Sequence, residues 1–146
     1  MSDFRKLSDS MWASPQISAA QIAEARDAGV TLVINNRPDG EAPDESQGPE
    51  IEAAAKAAGL DYLAIPISHT GFSEPQVAAM QDALDAAEGG VLAYCRSGTR
   101  STLLWALAQA RAGADPESIA EAAHNAGYDT SPVRPAMDML AAQAKS

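Results

Sequence analysis

Apolar positions fall in short clusters separated by glycine, proline and polar turns. Val30-Thr31-Leu32-Val33-Ile34-Asn35 is a β-branched run bounded by Gly29 and the loop Asn36-Arg37-Pro38-Asp39-Gly40, which predicts a strand buried on both faces. Residues 60–67 and 91–94 predict two further strands. Helical patterns lie between them. Ser18 is the expected N-cap of a helix running to about Ala28 and closed by Gly29; residues 49–58 carry proline in the first turn and Gly59 after the end; residues 73–87 run up to Gly89-Gly90. Beyond the third strand, a loop through Arg100 leads into a helix to about Ala112, and Asp115-Pro116-Glu117 and Thr130-Ser131-Pro132 open two more. The stretch around Trp12 predicts no defined element. Alternating strands and helices imply an α/β fold with a mostly parallel sheet of about four to five strands, flanked by helices on both faces.

Composition narrows this picture. The 146 residues suit one domain spanning 1–146. Of these, 32 are alanine, which favours close-packed helices over an all-β sandwich. A net charge of -10 repels polyanions, so nucleic acid and anionic membrane surfaces are excluded as expected partners. No apolar run approaches the roughly 18 residues of a membrane span, and the N-terminal residues lack the apolar core of a signal peptide. The expectation is a cytoplasmic protein. One cysteine excludes an internal disulfide framework, and two separated histidines offer no zinc-ligand spacing. No metal or organic cofactor is implied.

The chemistry concentrates in Tyr94-Cys95-Arg96-Ser97-Gly98-Thr99-Arg100-Ser101. A thiol at the carboxyl end of a strand stands where open α/β sheets build their sites. The following loop aims the N–H groups of Arg96, Ser97, Gly98 and Thr99 inward, beside a helix N-terminus, and so stabilises an anion or a thiolate at its centre. Gly98 permits the tight turn, Arg100 adds a planar cationic fork, and Ser101 is positioned to donate to the Cys95 sulfur. The alternative for a lone cysteine is simple burial. Arg96 faces outward, as a gatherer of small anions. Arg37, past the end of a neighbouring strand, either meets an anionic substrate or pairs with Asp39 or Glu41. His69 follows a strand and either serves the Cys95 loop as a substitute acid or is an ordinary surface residue. Leu104 and Trp105 have core spacing, His124 an ordinary place near a helix end, and the acidic stretch 39–50 that of a solvated loop.

The loop matches C-R-x-G-x-R, the active loop of rhodanese-type sulfurtransferases. The surrounding frame resembles dual-specificity and tyrosine phosphatases and their bacterial relatives, the phosphatase-like domain of beta-lactamase-hydrolase-like proteins. That resemblance rests on Phe4-Arg5-Lys6-Leu7, Trp12-Ala13-Ser14-Pro15-Gln16, the run from Thr31 to Glu41, and Tyr94 to Ser101. The Asp-Val-Arg strand end and Gly-His-Ile segment of a rhodanese domain are missing.

Two departures from the phosphatase pattern stand out. Phosphatases of this kind carry His-Cys-x5-Arg, whereas Tyr94 precedes Cys95 here and only four residues separate Cys95 from Arg100. At about 3.8 Å per residue, closing six rather than seven residues shrinks the ring radius from about 4.2 to about 3.6 Å. The phosphatase general acid is an aspartic acid ahead of the cysteine, and residues 65–74 contain none. Both departures lead the sequence reading to a sulfurtransferase that carries sulfur from thiosulfate or a persulfide as a Cys95 persulfide, with Cys95, Arg100 and Ser101 as catalytic residues. Its rivals are a phosphatase working through a phosphocysteine and a catalytically silent anion- or phosphoprotein-binding module. All three take a small anionic partner.

Overall fold

The computed structural model describes residues 3–38, 40–41, 47–68 and 71–145. The chain runs β1 (Arg5–Ser8), β2 (Met11–Ser14), α1 (Ala19–Asp27), β3 (Val30–Asn35), α2 (Gly48–Ala57), β4 (Asp61–Ala64), α3 (Glu74–Ala86), β5 (Gly90–Tyr94), α4 (Thr99–Arg111) and α5 (Pro116–Asn125). A 3-10 turn (Ser131–Val133) then leads into α6 (Arg134–Ala144). The five strands form one sheet in the order β1-β2-β5-β3-β4. Only the β1–β2 pair is antiparallel; β2–β5, β5–β3 and β3–β4 are parallel. This is the α/β sheet anticipated from the alternation of strands and helices.

Period-two alternation splits the strands between two cores. Val33, Leu92 and Tyr94 face Ile22, Ala25, Ile51 and Ala55 of α1 and α2. Ile34, Val91 and Ala93 face the other way, against Met80, Leu104, Leu107, Ile119 and Met137 of α3 to α6. Helix α4 lies in the middle of this second layer, with nine of its thirteen residues buried, Leu104 and Trp105 among them. Its alanines let neighbouring helices approach closely.

Three boundaries differ from the sequence reading. Residues 5–14 form the β1–β2 hairpin, whose Leu7, Met11 and Ala13 enter the core while Lys6 and Ser8 stay outside. Strand β4 stops at Ala64 rather than 67, because Pro66 has no N–H to donate; Ile65 and Ile67 still donate to the Asn35 and Asn36 carbonyls, each at 2.9 Å. In β3, Thr31 is exposed, so that strand is not buried along its whole length. No helix among the described residues is long and apolar enough to cross a membrane.

Candidate active site

Strand β5 ends at Tyr94 and α4 begins at Thr99, so the connecting loop is only Cys95-Arg96-Ser97-Gly98. Gly98 is the helix N-cap at φ +91°, a left-handed conformation that favours glycine. Arg100 therefore stands on the first turn of α4, not within the loop. Cys95 is fully buried, and its backbone N–H donates to the Ser14 carbonyl of β2 at 3.2 Å.

The loop's polar groups are sorted by direction. Three of its carbonyls have donors: the Gln16 N–H donates to Arg96 O (3.4 Å), the Tyr128 hydroxyl to Ser97 O (3.1 Å), and the Thr102 N–H and hydroxyl to Gly98 O (3.0 and 2.9 Å). The Gly98 N–H donates to Cys95 Sγ at 3.1 Å. Backbone N–H groups of Arg96, Ser97, Arg100 and Ser101 have no acceptor among the described residues. With three carbonyls occupied and these donors spare beside a helix N-terminus, the loop can receive an anion against the sulfur.

Ser101 does not make the contact to sulfur that the sequence suggested: its hydroxyl is buried and has no partner among the described residues, and the hydrogen bond to Cys95 Sγ comes from the Gly98 backbone instead. Ser97 and Thr99 are exposed, with the Ser97 hydroxyl donating to Thr99 Oγ1 at 3.0 Å, and Arg96 is also exposed.

Arg100 is held at one end. Its Nη1 donates to Glu41 Oε2 (2.9 Å) and to the Ile67 carbonyl (2.7 Å), and its Nη2 to Glu41 Oε1 (2.7 Å). A guanidinium has five N–H donors, so Nε and one Nη2 hydrogen remain, side by side, for an incoming anion. The Arg100 guanidinium holds the Glu41 carboxyl below its ordinary range; burial opposes this and Arg37 reinforces it. Glu41 in turn raises Arg100, against the effect of burial and with the Cys95 sulfur contributing.

Arg37 is engaged within the fold, so the pairing alternative offered by the sequence is the one seen here. Its side chain is only 6% exposed, and it donates to Glu41 Oε1 (2.8 Å) and Gln16 Oε1 (2.9 Å). The sequence named Glu41 as a candidate partner of Arg37, and that pair forms. What it missed is the second guanidinium, from a residue 59 positions away. The same contact removes Glu41 from the solvated loop expected over 39–50. Asp39 and His69 lie outside the described residues.

A second residue missed in the sequence is Asn36. Fully buried at the end of β3, it receives the Ile67 N–H on its carbonyl and donates from Nδ2 to Ile65 O at 2.9 Å. This pins the segment whose Ile67 carbonyl anchors Arg100. In the sequence it reads only as the first residue of a polar loop.

A central parallel sheet, a cysteine at the tip of its middle strand and an arginine on the helix that follows define a protein with the tyrosine-phosphatase-like α/β fold. Within that class, the chain belongs to the family described as "Beta-lactamase hydrolase-like protein, phosphatase-like domain", whose sequence profile matches residues 3–112. A beta-lactamase hydrolase-like protein of Xylella fastidiosa is 39% identical over 102 residues, 69% of this chain and 24% of the relative. The chain thus spans about a quarter of the length of the curated relatives it matches. Among solved structures, a candidate phosphatase of Neisseria meningitidis superposes with a TM-score of 0.83 at 28% identity, covering 96% of this chain and 99% of the other. A structure of P. aeruginosa TpbA in complex with phosphotyrosine matches with a TM-score of 0.68 at 20% identity, over 99% of this chain and 91% of that one. These matches support the phosphatase frame; none of them points to thiosulfate sulfur transfer.

Proposed function

We propose that this chain is a cysteine-dependent phosphatase acting on small phosphate monoesters, and that residues 1–146 form one domain of that type. The observation that carries this reading is the set of unclaimed N–H groups around Cys95, together with the free edge of Arg100. They suit the equatorial oxygens of a phosphoryl group in flight. Cys95 sulfur attacks phosphorus, an S–P bond forms and the ester P–O bond breaks, leaving a phosphocysteine. Water then attacks phosphorus, releasing inorganic phosphate and the Cys95 thiolate. The phosphatase frame shared with the Neisseria protein, and the phosphotyrosine held by TpbA, support this choice of substrate class.

The leaving oxygen takes its proton from solvent. Residues 65–73 contain no aspartic acid, and Glu41 is committed to two guanidinium groups. Phenols and other good leaving groups are therefore the preferred substrates. A second reading, sulfur transfer, is favoured by one feature: Arg100 follows Cys95 after four residues, one fewer than the phosphatase pattern. There Cys95 would attack the outer sulfur of thiosulfate, forming an S–S bond and expelling sulfite, and an acceptor thiol would take the sulfur away.

One experiment separates the two. The protein is quenched during turnover of an aryl phosphate, or after incubation with thiosulfate, and its intact mass is measured. The phosphatase reading expects a phosphoryl group on Cys95, absent from Cys95→Ser, and a faster burst with better leaving groups. Addition of one sulfur atom from thiosulfate, with no hydrolysis of the ester, would overturn it in favour of sulfur transfer.

A further inference from the structure

One peptide unit in the loop carries both an inward and an outward contact. In the trans peptide joining Ser97 to Gly98, the carbonyl and the N–H point in opposite directions. The N–H end donates to Cys95 Sγ at 3.1 Å, and the carbonyl end receives the Tyr128 hydroxyl at 3.1 Å. Tyr128 comes from the connection after α5, beyond the residues that match the family profile.

The flanking carbonyls are held otherwise, Arg96 O by the Gln16 backbone and Gly98 O by Thr102 of α4, whereas Ser97 O receives this one side chain. A peptide flanked by glycine turns over at little steric cost. If it turned, Ser97 O would replace the Gly98 N–H beside the sulfur, and an acceptor would face the incoming anion. The contact is close: a Cβ built on Gly98 would lie 2.1 Å from the Tyr128 oxygen.

The outer face of the Tyr128 ring meets β1. The Arg5 guanidinium sits over that ring, 5.3 Å from the centroid, and donates to the Ala126 carbonyl at 3.3 Å. Gly127, at φ +93°, leaves room for that guanidinium, since a Cβ there would come within 2.6 Å of Arg5 Nη1. The tyrosine is 8% exposed, and burial raises its phenol above the ordinary value, against the pull of Arg5, so it remains a donor through neutral pH.

We propose that Tyr128 is a positioning residue which, through the Ser97–Gly98 peptide, keeps the Gly98 N–H on Cys95 Sγ and the loop open to anions. This inference builds on the reading of Cys95 as a nucleophile toward an anionic substrate and does not depend on whether phosphorus or sulfur is transferred.

The test uses alkylation of the lone cysteine by anionic iodoacetate and neutral iodoacetamide, with tungstate as a protecting oxyanion. Tyr128→Phe keeps the ring and removes only the hydroxyl. It should lower the iodoacetate-to-iodoacetamide rate ratio and weaken tungstate protection, each by about fivefold, the size of one lost hydrogen bond, with melting lowered by no more than about 4 °C. Arg5→Gln leaves the hydroxyl in place and should shift the ratio by less than about twofold.

An unchanged ratio and unchanged protection in Tyr128→Phe would overturn the proposal. So would an equal loss in Arg5→Gln, which would assign the effect to packing at this corner, or a melting point lowered by roughly 10 °C or more in Tyr128→Phe, which would make the hydroxyl structural. Failure of wild-type turnover on aryl phosphates would count against the phosphatase reading alone, because alkylation does not require it.

Discussion

Glu41 decides how Arg100 can be used. By taking two of its N–H donors, with the Ile67 carbonyl taking a third, it fixes the guanidinium plane and leaves a single edge for substrate. Glu41→Gln keeps the size but loses the charge, so turnover should fall about tenfold or more and stability by about 1–2 kcal/mol, between the values for exposed and buried pairs. The carboxyl titrates below its ordinary 4.5, so its contribution is fully present above that value and is lost as pH falls through the lower folded value. Urea unfolding of wild type and Glu41→Gln should therefore differ most near neutrality and converge as the pH falls below that ordinary value. A gap that persists at the acid end would show that Glu41 acts through something other than its charge. Arg100→Lys keeps the charge but cannot make three fixed contacts and still present two parallel donors; it should lose most activity, about a hundredfold. Equal activity in the lysine variant would reduce Arg100 to a point charge. Cys95, Gly98 and Arg100 were legible in the sequence because they lie within six residues. Glu41, Asn36 and Tyr128 were not, since their roles depend on which strands lie side by side.

At the scale of elements, sequence signals worked wherever a local cause ends an element. Ser18 stands as the N-cap of α1, as its pattern suggested, and Ser73 takes the same place on α3; the backbone N–H of each donates to the side chain of the glutamine three residues on at 2.8 Å. They failed where tertiary pairing decides. The β1–β2 hairpin is too short and too polar to declare itself, and it exists because β2 adds to the edge of β5. The start of α4 was placed too late, because an arginine expected to bind anions was read as loop. The left-handed N-cap at Gly98 instead launches the helix at once. This junction is sensitive to a single methyl group. Gly98→Ala combines a disfavoured φ with overlap on the Tyr128 oxygen, and should cost at least about 2 kcal/mol in urea unfolding. Adding Tyr128→Phe removes the oxygen, the nearer of two Tyr128 atoms that the methyl would overlap, and leaves only the ring carbon at 2.9 Å, so the double variant should be more stable than the sum of the two losses implies. Simple additivity would mean that backbone strain and the remaining ring contact set the cost.

Over the whole molecule, charge and site pull in opposite directions. Twenty acidic side chains against ten basic ones give a field that repels the anions the loop is built to hold. The sequence made the net charge plain, and the fold shows how the basic side chains divide. Arg37 is buried against Glu41, Arg100 is tied to the same carboxylate, Arg5 stacks on Tyr128, and Arg134 pairs with Glu117 and Asp138. Arg96, next to Cys95, is exposed, and neither a salt bridge nor a side-chain hydrogen bond engages it among the described residues. It offers an approaching anion a local attraction inside a repulsive surround, and at the roughly 8–10 Å over which charge persists in ordinary buffer the nearer charge dominates. Arg96→Gln should therefore raise KM for an aryl phosphate several-fold at low ionic strength while leaving kcat nearly unchanged, because capture is weakened and the loop donors are not. The gap should narrow as salt is raised from about 0.05 to about 0.5 M, and iodoacetamide, which carries no charge, should alkylate both proteins at one rate. A drop in kcat, or a KM difference indifferent to salt, would place Arg96 in contact with the reacting group rather than on the path toward it.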